Sequence, residues 1–167
     1  MKLSLVVPCF NEEDNVERFF NEVNNVFLCN VDDYEFVFIN DGSEDNTYKK
    51  LKEIYENNSA YNIQVLSFSR NFGKESGIYA GLKAAKGDYV CIIDADLQQD
   101  IEAIDKFIDK YHEGNEIVYG VRNSRNTDTF FKKVTSQFFY KLMIKFGCKI
   151  IVNHADYRLV SNRVLLE

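Results

Sequence analysis

The sequence has no long apolar run, no tryptophan, a single proline (Pro8) and two histidines, His112 and His154. No stretch approaches the roughly 20 apolar residues that span a bilayer. The longest runs, such as residues 89–93, have the length of a strand. The N-terminus also lacks the apolar region of a signal peptide. These absences predict a soluble chain made in the cytoplasm. The four cysteines, Cys9, Cys29, Cys91 and Cys148, lie far apart, form no CxxC and have no histidine at zinc-ligand spacing. They are expected to be buried, reduced thiols. Basic residues are not in excess: 26 acidic side chains against 20 basic give a net charge of −6, which argues against general nucleic-acid binding. There is no GxGxxG, no P-loop spacing, no internal repeat, no low-complexity segment and no linker.

Apolar residues make up 46% of the 167 and charged residues 28%, a composition that excludes disorder. A chain of this length is expected to be one domain, residues 1–167, burying roughly 70% of its surface on folding. Strand-length apolar runs at residues 3–7, 34–39, 63–68, 89–93 and 117–121 alternate with helical spacing. The helical stretches are 16–27, 47–55, 75–85, 101–111 and 130–146. Asn11 is expected to cap the first helix, Asp45 or Ser43 the second and Asp100 the fourth. Gly87 is expected to close the third as its C′ residue, and Gly114 to stop the fourth. Residues beyond 146 read as short and irregular, and residues 164–167 as an interrupted helix, as in a trimmed chain. The β-α-β-α order predicts an α/β fold with a mostly parallel sheet covered on both faces.

Charge is distributed unevenly. Residues 120–150 hold Arg122, Arg125, Lys132, Lys133, Lys141, Lys145 and Lys149 against Asp128 alone, a net of +6 that leaves −12 for the rest. One face is therefore expected to meet an anion. For the basic, aromatic helix over 130–146 two readings stand. It packs on the core with solvated lysines, or it rests on anionic lipid with its aromatics at the interface.

Open parallel sheets bind ligands outside the carboxyl ends of their strands, and those ends are strongly polar here. The first strand runs into Pro8-Cys9-Phe10-Asn11-Glu12-Glu13, the second into Asn40-Asp41-Gly42-Ser43, the third into Ser69-Arg70-Asn71-Phe72-Gly73-Lys74-Glu75, and the fourth into Asp94-Ala95-Asp96-Leu97-Gln98. Asp94 and Asp96, two residues apart in extended chain, face the same way and repel unless a cation joins them. Hard oxygen ligands suit Mg²⁺ or Mn²⁺, which also bind substrate phosphates, and Gln98 offers a further carbonyl oxygen. Asp41 suits either an Asx turn or a carboxylate that accepts from a nucleobase. Arg70 to Glu75 suits an anion-binding turn or a solvated loop.

Taken in order, these strings resemble family 2 glycosyltransferases, and most closely the polyprenyl-phosphate, dolichol-phosphate-mannose-synthase-like branch. Three later segments fit too: Tyr119-Gly120-Val121-Arg122-x-x-Arg125, Phe131-Lys132-Lys133-x-x-Ser136-x-x-Phe139-Tyr140 and Asp156-Tyr157-Arg158-Leu159. The resemblance runs from residue 3 to about 163. It implies a GT-A (Rossmann-like) fold and a nucleotide-sugar donor. Pro8, Phe10, Asn11, Glu12, Asp41, Ser43, Lys74, Asp94 and Ala95 would hold the donor nucleotide, and Asp94, Asp96 and Gln98 the metal. Arg122, Lys132, Ser136 and Arg158 would meet acceptor phosphate. The catalytic set would be Asp156, Asp96 and Arg122, with Asp156 as base or as acceptor-orienting group. Tyr157 stands where the branch usually has Phe, and Lys132 where relatives often have Arg, which loses the bidentate fork.

The activity this implies is an inverting, metal-dependent transfer of a hexose from a nucleotide-sugar, such as UDP-glucose, to polyprenyl (undecaprenyl) phosphate. A phosphate acceptor is already an anion, so it needs positioning more than deprotonation. An alternative within the family extends a saccharide, and a remote one is a non-catalytic nucleotide-sugar-binding module. A sugar-nucleotide nucleotidyltransferase would want a Gly-rich basic loop after the first strand, where residues 8–13 are acidic and lack glycine. The branch commonly continues into C-terminal membrane helices. The expectation is therefore a catalytic domain cut from a protein anchored at the cytoplasmic side of the membrane, or one that works from the membrane surface.

Overall fold

The computed structural model describes residues 1–26, 31, 33–121 and 154–165. Its elements are β1 (Lys2–Cys9), α1 (Val16–Asn25), β2 (Asp33–Asn40), α2 (Thr47–Asn57), β3 (Asn62–Ser67), α3 (Lys74–Ala84), β4 (Tyr89–Ile92), α4 (Ala103–His112), β5 (Ile117–Val121), β6 (His154–Ser161) and α5 (Asn162–Leu165). Six strands form one sheet in the order β3-β2-β1-β4-β6-β5. β1 pairs in parallel with β2 and β4, and β2 with β3, whereas β6 runs antiparallel between β4 and β5. The sheet is thus mostly parallel, as the alternating pattern predicts.

Two cores follow from the period-2 alternation of strand side chains. Leu3, Leu5 and Val7 of β1, Phe36 and Phe38 of β2, and Tyr89 and Cys91 of β4 face one layer, built by Phe19, Phe20 and Val23 of α1, Leu51 of α2 and Ile104 and Ile108 of α4. The intervening Val6, Val37, Ile39, Val90 and Ile92 face the other layer, built on Ile78 and Leu82 of α3. Burial on both faces explains why these strands read as continuous apolar runs. α3 lies so close to the sheet that a Cβ at Gly81 would stand 2.5 Å from Val6 Cγ1 and 2.7 Å from Ile39 Cδ1.

Several local expectations change. α1 starts at Val16, and Asn11 is no cap: its φ is +56°, outside the extended region an N-cap uses. Gly87 is not the C′ residue of α3, whose helix ends at Ala84 with Ala85 extended. What requires glycine there is the approach of β1, since a Cβ would lie 2.7 Å from the Lys2 carbonyl oxygen and the Ser4 hydroxyl. α4 starts at Ala103 with Glu102 in the N-cap position and no side-chain cap, so Asp100 is not its cap; its Oδ1 instead accepts from the Glu102 N–H at 3.0 Å in the turn before the helix. The stretch expected to be irregular contains β6, where Tyr157 and Leu159 point into the first core. The expected helix over 130–146 lies outside the described residues, as do Cys29 and Cys148.

Candidate functional site

The chain runs from β1 outward to β2 and β3, then returns through α3 to β4 on the other side of β1. Neighbouring strand ends therefore lead their loops apart at the β1–β4 boundary, the place where open α/β sheets hold ligands. An open cleft of about 330 Å³ lies there, lined by Pro8, Cys9, Phe10, Glu12, Asp41, Asn71, Lys74, Asp94 and Asp96. The loops that follow β1 to β4 all contribute. Of the residues expected on the donor nucleotide, Pro8, Phe10, Glu12, Asp41, Lys74 and Asp94 come together. Phe10 is 42% exposed and lines the cleft. Cys9 and Cys91 are free and buried, and burial pushes both thiols up, with Glu12 and then Asp94 adding to the effect at Cys9.

Asn11, Ser43 and Ala95 stand elsewhere. Ser43 Oγ accepts from the Asn11 N–H at 3.0 Å, and Asn11 Oδ1 accepts from the Glu44 N–H at 2.9 Å. Thr47 Oγ1 accepts from the Glu12 N–H at 2.7 Å, and Glu13 Oε2 from the Asn46 N–H at 2.9 Å. These bonds staple the β1–α1 and β2–α2 loops to each other and satisfy backbone donors that the turns leave over. Asp45 takes the Thr47 N–H and the Thr47 hydroxyl as it leads into α2. Burial alone would raise its carboxyl, but the bonds from Thr47 and the Glu13 amide outweigh burial and lower it. Ala95 is 1% exposed, inside the core.

Asp41 is 3% exposed, and its two oxygens accept from the Phe72 N–H at 2.8 Å and the Gly73 N–H at 2.9 Å. It therefore anchors the 70–74 loop, which carries Asn71 and Lys74 into the cleft. Gly42, next to it, has φ +65°, and a Cβ there would lie 2.2 Å from the Arg70 carbonyl carbon. The Arg70 guanidinium sits 4.5 Å over the Phe72 ring on the outer side of the same loop.

Asp94 and Asp96 are both partly exposed at the cleft. Lys74 Nζ lies 2.8 Å from Asp94 Oδ1 and 3.0 Å from Oδ2. Asp96 Oδ1 accepts from the Gln98 N–H at 3.0 Å, and Gln98 itself is exposed and outside the cleft lining. Among the described residues no group of three or more His, Cys, Asp or Glu could hold a metal by itself. Two carboxylates nevertheless fit Mg²⁺ or Mn²⁺, which are commonly held by one or two carboxylates, waters and substrate phosphates rather than by an all-protein cage. Sequence reasoning missed Gln99, whose side chain bonds Asp94 twice. Its five-residue separation from Asp94 matches no periodic pattern.

β6 brings further residues to this edge. Its register pairs Ile92 with Arg158 and Cys91 with Leu159, so the strand's earlier residues, Asp156 included, run past the end of β4 toward the level of Asp94. Arg158 is half-buried, and Tyr157 is buried with its hydroxyl donating to the Asp100 carbonyl at 2.9 Å. Arg122, Lys132 and Ser136 lie outside the described residues. No helix among the described residues is long and apolar enough to cross a membrane.

Comparison with known proteins agrees with this architecture. The family Glycosyl transferase family 2 matches residues 4–166. The chain is 43% identical over 173 residues to an uncharacterised glycosyltransferase of Bacillus subtilis, YkoT, covering 99% of this chain and 51% of that protein. It is 42% identical over 166 residues to the bactoprenol glucosyl transferase of Shigella phage SfV, covering 99% of this chain and 53% of the relative. The chain thus spans about half the length of the curated relatives it matches. Among solved structures, the mannosyltransferase PcManGT of Pyrobaculum calidifontis, in complex with GDP-Man and Mn²⁺, superposes with a TM-score of 0.71 at 17% identity, over 98% of this chain and 45% of that one. Glucosyl-3-phosphoglycerate synthase of Mycobacterium tuberculosis, in complex with Mn²⁺, UDP and glucosyl-3-phosphoglycerate, gives 0.63 at 24% identity, over 98% and 58%. With a GT-A sheet, four polar strand ends around one cleft and a family match over nearly its whole length, this chain belongs to glycosyltransferase family 2.

Proposed function

We propose that residues 1–167 form one GT-A catalytic domain that moves a hexose from a UDP-sugar, such as UDP-glucose, to a polyprenyl (undecaprenyl) phosphate, with inversion and with Mg²⁺ or Mn²⁺. The observation that carries this is the convergence of Phe10, Asp41, Lys74, Asp94 and Asp96 on one cleft. The names of the bactoprenol glucosyl transferases at 42% identity support the acceptor and the hexose. In this reading Phe10 offers its face to the base, with Pro8, Glu12 and Asp41 around the nucleoside. Lys74 meets the diphosphate, and Asp94 and Asp96, with Gln98, hold the cation. A divalent cation bound there supplies positive charge against the charge that grows on the departing diphosphate. An acceptor phosphate oxygen attacks the anomeric carbon, the bond from that carbon to the diphosphate oxygen breaks, and its electrons leave with the nucleotide. That oxygen is already anionic, so Arg158, Arg122, Lys132 and Ser136 serve to hold the acceptor. Asp156 then orients the acceptor rather than removing a proton. A lipid acceptor implies work at the membrane surface, on its cytoplasmic face.

The test is calorimetric titration of UDP-glucose, other UDP-hexoses and GDP-mannose with Mn²⁺, Mg²⁺ or EDTA, with transfer to undecaprenyl phosphate measured in parallel. Metal-dependent binding of a UDP-hexose is expected, and Asp94→Ala and Asp96→Ala should abolish the metal dependence. If no nucleotide-sugar binds in a metal-dependent way and both variants match wild type, the reading fails.

A further inference from the structure

Asp94 is held by more than Lys74. The Gln99 side chain grips the same residue twice, Nε2 donating to Oδ2 at 3.0 Å and Oε1 accepting from the Asp94 N–H at 3.2 Å. A primary amide suits this task, because it presents a donor and an acceptor side by side in one plane. A carboxylate would bring no donor, and lysine no acceptor. The clasp joins the backbone of Asp94 to its carboxylate and so limits both where the residue sits and how its side chain turns. It closes a turn in which Leu97 stands in the left-handed region at φ +57°, a conformation that persists only where its surroundings enforce it. Lys74, by contrast, reaches Asp94 from the start of α3 on a long and flexible stem, and 39% of its side chain is exposed.

We infer that Gln99 is a positioning residue for Asp94, holding its carboxylate in the orientation that receives a divalent cation when Lys74 turns to the donor diphosphate. This rests on the metal-dependent reading above. Without the clasp, the carboxylate would be free to rotate and the backbone turn to loosen, both of which weaken the metal site. Partners that orient metal ligands commonly change metal affinity by about 10–100-fold. The experiment compares wild type with Gln99→Met, which keeps the length and removes both bonds. It measures Mn²⁺ affinity of the UDP-bound protein by electron paramagnetic resonance, UDP affinity in EDTA, and melting temperature. The expected result is at least a tenfold loss of Mn²⁺ affinity, with UDP affinity in EDTA within twofold of wild type. Gln99→Ala adds no bulk to the turn, so it gives the same comparison if methionine disturbs the fold. A purely structural role would lower the melting temperature and leave the Mn²⁺ affinity of the folded protein unchanged, and that outcome overturns the proposal. If the wild-type UDP complex takes up no Mn²⁺ at all, the metal-dependent reading falls together with this one.

Discussion

Asp41 offers the sharpest test of how the cleft is built. Its carboxylate is 3% exposed and accepts from two loop amides, those of Phe72 and Gly73. Asp41→Asn keeps the shape and removes the charge. One oxygen remains to take the Phe72 N–H, now without charge assistance, while the new amide group faces the Gly73 N–H. That second donor is not orphaned, because Asn71 Oδ1 also accepts it at 2.9 Å. Hydrogen bonds to charged groups contribute roughly 1.5–3 kcal/mol each, so losing one and weakening the other should cost about 2–3 kcal/mol. For a domain of this size that lowers the melting temperature by roughly 4–12 °C. The assay is differential scanning fluorimetry of the nucleotide-free protein, followed by UDP titration. UDP affinity should fall as well, because the same loop carries Asn71 and Lys74 into the cleft. A melting temperature within about 1 °C of wild type, with UDP affinity alone reduced, would refute the anchoring argument and leave Asp41 as a nucleobase contact only.

Two other perturbations test the scaffold. Glu35 is buried between strands and accepts from the Ser4 hydroxyl and the Lys86 N–H, both at 2.6 Å, with Lys2 Nζ at 3.3 Å. Burial would raise its carboxyl, but these hydrogen bonds and the Lys2 charge outweigh burial and leave it lowered. The stabilisation is therefore complete above the ordinary value of 4.5 and is lost as pH falls from there through the lower folded value. Glu35→Gln should destabilise by about 2–3 kcal/mol at neutral pH, and urea titrations should show that gap closing toward pH 3. Gly42→Ala places a Cβ 2.2 Å from a backbone carbon at φ +65°. Backbone cannot rotate aside as a side chain can, so a loss of about 2–4 kcal/mol is expected, and calorimetry should show weaker UDP binding.

Much of this protein is legible along the chain because the signals are local. Apolar runs of strand length mark β1, β2 and β4, buried on both faces, and spacings of three and four mark α1 and α4. In a parallel sheet the residues after each strand must lie on one edge, so Phe10, Asp41, Lys74 and Asp94 could be grouped before any contact was known. β6 escaped because Asp156 and Arg158 interrupt its apolar pattern, and its partners, β4 and β5, are brought to it by the fold. Asn11 and Ser43 are polar and follow strands as ligand-binding residues do, yet they bond across 32 positions of sequence. Gly87 sits where a helix stop belongs, but what demands glycine is a strand 83 residues earlier.

The sequence by itself determined the two-faced sheet, the helices that cover it, the family and the edge at which chemistry belongs, since each follows from spacing or from an ordered set of short motifs. Only the tertiary structure decided which polar residues at that edge face the cleft and which hold its walls. It turned Asp41 toward the loop amides, paired Lys74 with Asp94 and clasped Asp94 with Gln99. Those choices are made by hydrogen bonds between loops distant in sequence, and no local periodicity encodes them.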